Sequence, residues 1–350
     1  MEKKIEVGIL GATGMVGQQF VQLLQCHPWF ELKWLSASDR STAKKYKDAT
    51  SWRLGGSIPE AAAELAVEEC KPGTAPRVVF SALDAAAAGD IEFAFAQAGH
   101  CVVSNASAYR MEPDVPLVVP EINPDHLKLV PYQQTNRCWS GFVVTNPNCT
   151  AVVLALGLAP LKPFGITRVV TTSLQAISGA GYPGVAAVDI AGNVIPFISG
   201  EEEKIEAETQ KILGELAMDI IQPLPARISA HSNRVPVLHG HMVTVSVELS
   251  AKPAFTDVLQ ALQNFKGALQ ERPLPSAPPQ PVVYLPENDR PQPRRDAERD
   301  RGMVVTVGRL RRCKVLDLKF VALGHNTLRG AAGAALLNAE LMRTEALLPI

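Results

Sequence analysis

A cluster of glycines between an apolar strand and an apolar helix limits this chain more than any other feature. Ile5 to Leu10 reads as a buried strand, and Met15 to Leu24 has the length and apolar spacing of a helix. Between them runs Gly11-Ala12-Thr13-Gly14-Met15-Val16-Gly17, with a further glycine at Gly8. Glycines at these positions permit a tight strand-to-helix turn and let backbone approach a pyrophosphate. The new helix then aims unpaired N–H groups and its positive end at that anion. This predicts a Rossmann-like domain with Gly11, Thr13, Gly14, Met15 and Val16 beside a dinucleotide; a glycine turn used only for packing is the plain alternative.

Leu32 to Ser36, Arg77 to Ser81 and Cys101 to Ser104 read as further short strands, with a helix over Ile91 to Ala98. The alternation predicts a largely parallel sheet. The second strand ends Ser36-Ala37-Ser38-Asp39-Arg40-Ser41. An NAD site usually carries an acid here for the ribose hydroxyls, whereas hydroxyls with Arg40 suit a 2′-phosphate, so the expected cofactor is NADP(H). Asp39 leaves a ribose hydroxyl, or a simple pair with Arg40, open.

The pattern changes after Asn146-Pro147-Asn148-Cys149-Thr150. Ala151 to Leu158 reads as an apolar helix and Ile166 to Leu174 as a strand. In Met242 to Leu249, apolar and polar residues alternate, as in a sheet with one covered face. A helix from Asn326, its expected N-cap, toward Leu341 closes the chain. The expected division is an NADP-binding domain over 1–148, completed by 326–350, and an α+β catalytic and dimerisation domain over 149–325. A proline-rich stretch, 272–301, reads as a structureless surface excursion, with a flap or subunit arm as the other option.

Composition narrows the class. A chain of 350 residues, 47% apolar and 20% charged, suits a folded enzyme of two domains. A net charge of -1 gives no global basic surface of the kind that makes nucleic-acid binding the default, and leaves room for a local anion site. No apolar run spans a bilayer, and Met1-Glu2-Lys3-Lys4 does not open a signal peptide, so a cytoplasmic location is expected. Six cysteines without Cys-x-x-Cys spacing give no metal knuckle or disulfide framework; most are expected to be small buried thiols.

Cys149 stands apart because it opens a helix instead of lying within a periodic run. Asn148 can cap that helix, and its N-terminal dipoles favour a thiolate. Such a nucleophile needs a base, for which His241 competes with His239. Arg234 can bind an anionic group through its planar fork, or serve only an internal ion pair. Ser199-Gly200-Glu201-Glu202 resembles a capping box; Glu201 shares a face with Lys204, and Glu208 can pair with Lys204, as on any solvated helix.

With these residues in place, the chain closely resembles the aspartate-semialdehyde dehydrogenase family, in its archaeal and fungal branch. The resemblance is carried by the glycine turn, Asn146 to Thr150, Gln175 to Gly181, Glu201 to Lys204, Asn233 to Val237, Gly240-His241, and Asn326 to Gly333. It implies that Cys149 is the acyl-forming nucleophile, His241 the acid/base group and Gln175 the residue orienting the intermediate. It implies that Arg234 binds the substrate carboxylate and Glu201 its amino group, while Arg110, Lys204 and Asn148 hold phosphate. Ser178, Gly179 and Asn326 would lie near the nicotinamide; Ser38, Arg40 and Ser41, with the strand-end residues Ser36 and Ser81, near the rest of the cofactor.

The implied reaction is the reversible, NADP-dependent reductive dephosphorylation of L-4-aspartyl phosphate to L-aspartate 4-semialdehyde and phosphate, through a thioester. It serves lysine, threonine, methionine and diaminopimelate biosynthesis, and the family implies a homodimer or a tetramer of dimers. Two other readings stay open at this point. A malonyl-CoA reductase would share the thioester chemistry, and a non-catalytic dinucleotide-binding redox sensor would share only the turn.

Overall fold

The computed structural model describes residues 3–269 and 272–348. Met1, Glu2 and the last two residues of the 326–350 segment lie outside the described residues. Strands β1 (Ile5–Leu10), β2 (Phe30–Ala37), β3 (Val67–Glu69), β4 (Val78–Ser81), β5 (Cys101–Ser104) and β6 (Phe142–Thr145) form one sheet. Its order is β3-β2-β1-β4-β5-β6 and every pair is parallel. The last three strands are buried along their whole length, which is why they read as apolar runs without alternation. Strand order reverses beside β1, and α1 (Met15–Leu24) starts there, leaving a crevice at the carboxyl ends of the strands. Helix α2 (Ala85–Gln97) begins earlier than expected, because its alanine-rich opening carries no apolar periodicity.

Helix α3 (Cys149–Leu158) leads into the second half, and every residue from Thr150 onward in it is buried. A helix apolar on all sides must lie inside a core. It packs with α4 (Glu201–Ile212) and against a second sheet. That sheet contains β7 (Ile166–Gln175), then, after the small hairpin β8 (Glu215–Ala217) and β9 (Ile220–Gln222), the strands β10 (Arg227–Arg234), β11 (His241–Leu249), β12 (Val282–Leu285), β13 (Val305–Arg312) and β14 (Leu318–Gly324). Its order is β10-β7-β11-β14-β13-β12, with parallel and antiparallel pairs mixed. Val243, Val245 and Val247 face the core as the alternation predicts. On the other face Arg168, Val170 and Thr244 are exposed.

Four expectations are corrected. The closing helix α5 (Gly333–Thr344) is preceded by a π turn over Leu328–Ala332, and Asn326 caps nothing. Its side chain instead accepts the Gly240 N–H at 2.9 Å and donates to Ser178 Oγ at 2.8 Å. The 272–301 stretch is not structureless: it supplies β12 to the sheet, Asp296 is buried, and the Ser276 N–H is held by Glu340 of α5 at 2.9 Å. The 199–202 capping box is absent, since Gly200, at φ 64°, is the N-cap and no side chain caps the helix. Cysteine burial also differs, for only Cys101 is fully buried.

Helix α5 packs into the core of the first sheet, so the chain returns to the half where it began. The return is fastened by a buried ion pair. Arg329, fully enclosed, donates from Nη1 and Nη2 to the two oxygens of Glu121 at 2.7 and 2.6 Å. Among the described residues, no helix is long and apolar enough to cross a membrane. Removing one member of such a pair leaves a buried charge, so Arg329→Ala is expected to cost about 3–5 kcal/mol. Urea unfolding checks this, and a loss below about 1 kcal/mol would contradict it.

Candidate active site

The dinucleotide cradle follows from sterics. Gly11 has φ 76°, and a Cβ there would lie 2.6 Å from the Ala82 carbonyl oxygen; one at Gly17 would lie 2.3 Å from that of Gly11. At Gly14 a Cβ would meet only the Gly11 oxygen, at 3.5 Å, so that face is open. Gly14 is also the N-cap of α1 and offers no side-chain acceptor, so the first N–H groups of the helix remain available to an anion. These features fit a pyrophosphate.

Two adjoining cavities flank the turn. One of about 520 Å³ is lined by Thr13, Met15, Val16, Arg53 and Tyr182 among others. The other, about 640 Å³, reaches Ser38, Asp39 and Lys71. Arg40 is exposed and Ser41 half-buried, and neither lines that wall; Lys71, from the end of β3, is the cation that does. Ser36 and Ser81 are fully buried, so neither presents a hydroxyl to the cleft as expected of them. They close its floor at the ends of β2 and β4. A third cleft, about 740 Å³, adjoins at Met15 and Tyr182 and is lined by Ser178, His239 and His325.

The reactive group sits where α3 begins. The Asn148 side chain accepts the N–H groups of Thr150 and Ala151 at 2.9 and 3.0 Å. Its amide nitrogen donates to Glu201 at 2.8 Å, and Gln175 Nε2, from the end of β7, donates to the same oxygen at 3.2 Å. The Asn148 backbone N–H donates to Glu208 at 2.6 Å, while the other oxygen of Glu208 accepts Arg110 Nη1 at 3.0 Å. Next to Cys149 packs the π turn, where a Cβ at Gly330 would lie 2.6 Å from the cysteine's own.

His241 opens β11 and accepts the Ala176 N–H on Nδ1 at 3.1 Å. A neutral ring held this way carries its proton on Nε2, which is buried and without a partner. Arg234 ends β10 and donates Nη1 to the Ala176 carbonyl at 2.8 Å. A Cβ at Gly179 would come within 3.0 Å of both His241 and Arg234, so glycine there makes room for the pair.

Electrostatics corrects one expectation. Burial, reinforced by Glu201, pushes the Cys149 thiol up to about 12, against the pull of Arg110 and Arg234. Burial first, then Arg234 and His325, pushes His241 down to about 3. The helix dipole therefore does not leave a free thiolate, and His241 is a neutral ring. These shifts also place Glu201, Arg110 and Arg234 within electrostatic reach of the sulfur.

Most of the expected residues thus converge. His239 does not join them; it hydrogen-bonds Ser178 at 3.1 Å and stacks on His325 at 5.0 Å. Lys204 is half-buried and makes no ion pair with Glu208, which has turned inward to Arg110. Glu208 and Lys211 were missed as site residues. The signal is the spacing of Glu201, Lys204 and Glu208 along one face of α4, which Lys211 continues; such a face reads as solvated, yet it is mostly buried. Among the described residues, no group of three or more His, Cys, Asp or Glu is placed to hold a metal.

Known proteins resemble the chain over nearly its whole length. Residues 6–130 match the family described as semialdehyde dehydrogenase, NAD binding domain, and residues 158–329 match semialdehyde dehydrogenase, dimerisation domain. The aspartate-semialdehyde dehydrogenase of Methanothermobacter thermautotrophicus is 49% identical over 343 residues, covering 97% of this chain and 99% of that protein. The Candida albicans enzyme is 46% identical over 97% of this chain and 98% of its own length. A crystal structure of the Candida albicans enzyme with NADP superposes with a TM-score of 0.91 at 45% identity, covering 99% of this chain and 100% of that one. On that likeness the chain belongs to the aspartate-semialdehyde dehydrogenase family.

Proposed function

We propose that the chain catalyses the reversible, NADP-dependent reductive dephosphorylation of L-4-aspartyl phosphate to L-aspartate 4-semialdehyde and phosphate. The observation that carries this is the charge arrangement around Cys149: one carboxylate, Glu201, and two guanidinium groups, Arg234 and Arg110. An amino acid bearing an acyl phosphate presents the matching charges. Its α-carboxylate suits the free edge of Arg234, its ammonium suits Glu201, and its phosphate suits Arg110 with Lys204 and the Asn148 amide. Malonyl-CoA has no ammonium for Glu201.

The residues act in a definite order. The Cys149 sulfur attacks the acyl carbon, forming a C–S bond and breaking the bond to phosphate, which leaves held by Arg110 and Lys204. A thioester remains on Cys149, with Gln175 restraining it. When bound, NADPH supplies the hydride that reduces this carbonyl. The Cys149 N–H and the His241 Nε2–H are the donors available to the resulting oxyanion, and one such donor is worth about 3 kcal/mol. Collapse restores the carbonyl, breaks the C–S bond and releases the aldehyde. The cofactor would be held by Gly11, Thr13, Gly14, Met15 and Val16 at the pyrophosphate, by Ser38 with Lys71 in place of Arg40 and Ser41 near the 2′-phosphate, and by Ser178, Gly179 and Asn326 near the nicotinamide.

Substrate docking eases the first proton transfer. Its ammonium offsets Glu201, which raises the thiol, while its phosphate and carboxylate offset Arg110 and Arg234, which lower it, so the gain falls on His241. Its carboxylate offsets Arg234, the first charge holding His241 down. To take the sulfur's proton, the ring must release the Ala176 N–H.

The division into a cofactor domain over 1–148 with 326–350 and a catalytic domain over 149–325 follows the same reading. So does assembly as a homodimer, or a tetramer of dimers, through the open face of the second sheet, where Val170 is 51% exposed.

Cys149→Ala is expected to retain NADPH binding, followed by fluorescence titration, and to lose phosphate-dependent aldehyde oxidation by about 10³-fold or more; near-normal turnover would reject the nucleophile. Comparing NADPH oxidation with aspartyl phosphate and with malonyl-CoA decides the substrate, and faster turnover of malonyl-CoA would overturn the assignment. With the free enzyme, the rate of iodoacetamide inactivation should climb about tenfold per pH unit between about pH 7 and 10, since a thiol near 12 is still mostly protonated there. A plateau near pH 8.5 would show an ordinary thiol. Val170→Glu should shift the sedimentation coefficient to that of a monomer, and an unchanged assembly would place the interface elsewhere.

A further inference from the structure

Arg110 is an unusual choice for a phosphate ligand, because its guanidinium is already engaged. Nη1 donates to Glu208 at 3.0 Å and Nη2 to the Asn105 carbonyl at 2.5 Å, while Nε is buried without an acceptor. Glu208 is only 1% exposed and divides its oxygens between two partners, Arg110 and the backbone N–H of Asn148, the latter at 2.6 Å. Asn148 immediately precedes the nucleophile. One turn along α4, Lys211 donates to the carbonyls of Arg110, Glu112 and Val115 at 2.8, 2.8 and 2.9 Å. The helix therefore grips Arg110 at its head through Glu208 and at its backbone through Lys211.

We propose that Glu208 is a positioning residue for the phosphate site, whose two oxygens fix the Arg110 guanidinium and the peptide entering Cys149 in one frame. Spending the second oxygen on the Asn148 N–H makes the distance from phosphate ligand to sulfur depend on a single side chain. Glu201, seven residues earlier on the same face, holds the Asn148 side chain but has no bond to Arg110. Glu208 alone spans both. These bonds use one hydrogen on each Nη, so the second hydrogens of Nη1 and Nη2, with Nε, are the guanidinium donors left for an incoming phosphate oxygen. The proposal rests on the reading that Arg110 binds phosphate.

The test is steady-state kinetics in the oxidative direction, with aldehyde, NADP and inorganic phosphate, on the wild type, Glu208→Gln, Arg110→Ala and the double variant. Glu208→Gln places an amide donor or a neutral acceptor against Arg110. It is expected to raise KM for phosphate about tenfold or more while KM for NADP moves less than about twofold. In the Arg110→Ala background the same substitution should add less than about threefold to KM for phosphate, because the group it positions is gone. Equal increments in both backgrounds, or equal losses toward all three substrates, would overturn the proposal and leave Glu208 a packing residue. Arg110→Ala with an unchanged KM for phosphate would instead reject the reading of Arg110 itself. Glu208→Asp keeps the charge but is one methylene short of spanning both partners, so it should show the same phosphate-selective defect. A wild-type KM for phosphate in that variant also overturns the proposal, even if the glutamine variant does not fold.

Discussion

A helix that begins at a nucleophile and is buried from its first turn has to satisfy its opening N–H groups without water. Here one residue controls that requirement. Asn148 takes the N–H groups of Thr150 and Ala151 on its side chain and that of Val152 on its carbonyl, and gives its own N–H to Glu208. An N-cap of this kind is worth about 1 kcal/mol, yet its larger effect is on position. With the other donors engaged, the Cys149 N–H is the first-turn donor left for chemistry. The carboxylates that hold Asn148 then bring Gln175 and Arg110 to the same place. Loosening Asn148 would move the sulfur, the amide and the guanidinium together.

The same burial that orders the site opposes its reactivity. Desolvation favours the neutral forms of both Cys149 and His241, so the resting pair is thiol and imidazole. A site of this kind protects its cysteine until charges arrive that match its surroundings. Binding energy from groups remote from the reacting carbon is thereby used to change the protonation of the reacting pair, which ties selectivity for an amino acid to the rate of the chemical step.

The sequence-level reading worked where one local rule dominated. Helix α1 and its glycine turn, the alternating strand β11 and the start of α3 each follow from spacing that no distant contact overrides. It failed where tertiary packing decides. Asn326 looks like a cap by the usual criteria, but a π turn displaces the helix start and its amide crosses to Gly240 and Ser178 instead. The 272–301 stretch looks unstructured because proline suppresses periodicity, although β12 needs only four residues at a sheet edge. Helix α4 was the most consequential miss. Glutamates and lysines at helical spacing normally face water, and only the position of Arg110 and of the 110–115 backbone makes this face an interior one.

The returning segment explains why two sheets with separate cores can share one reaction centre. Arg329 binds Glu121, Gly330 lies against Cys149, and Asn338 of α5 donates to the Val118 carbonyl at 3.2 Å. Asn326, just before the π turn, holds the Gly240 N–H, and Gly240 immediately precedes His241. One stretch of chain therefore touches both Cys149 and the peptide leading into His241. Hydride transfer tolerates little error in the approach of donor to carbon, and near-attack geometry requires the reacting atoms to be held about 3–3.5 Å apart. An ordinary helical turn at 328–332 would change the rotation of this segment relative to α5, and the close seat of Gly330 on the cysteine would be lost. The extra residue per turn is where the sequence yields regular hydrogen bonding to the geometry of the site.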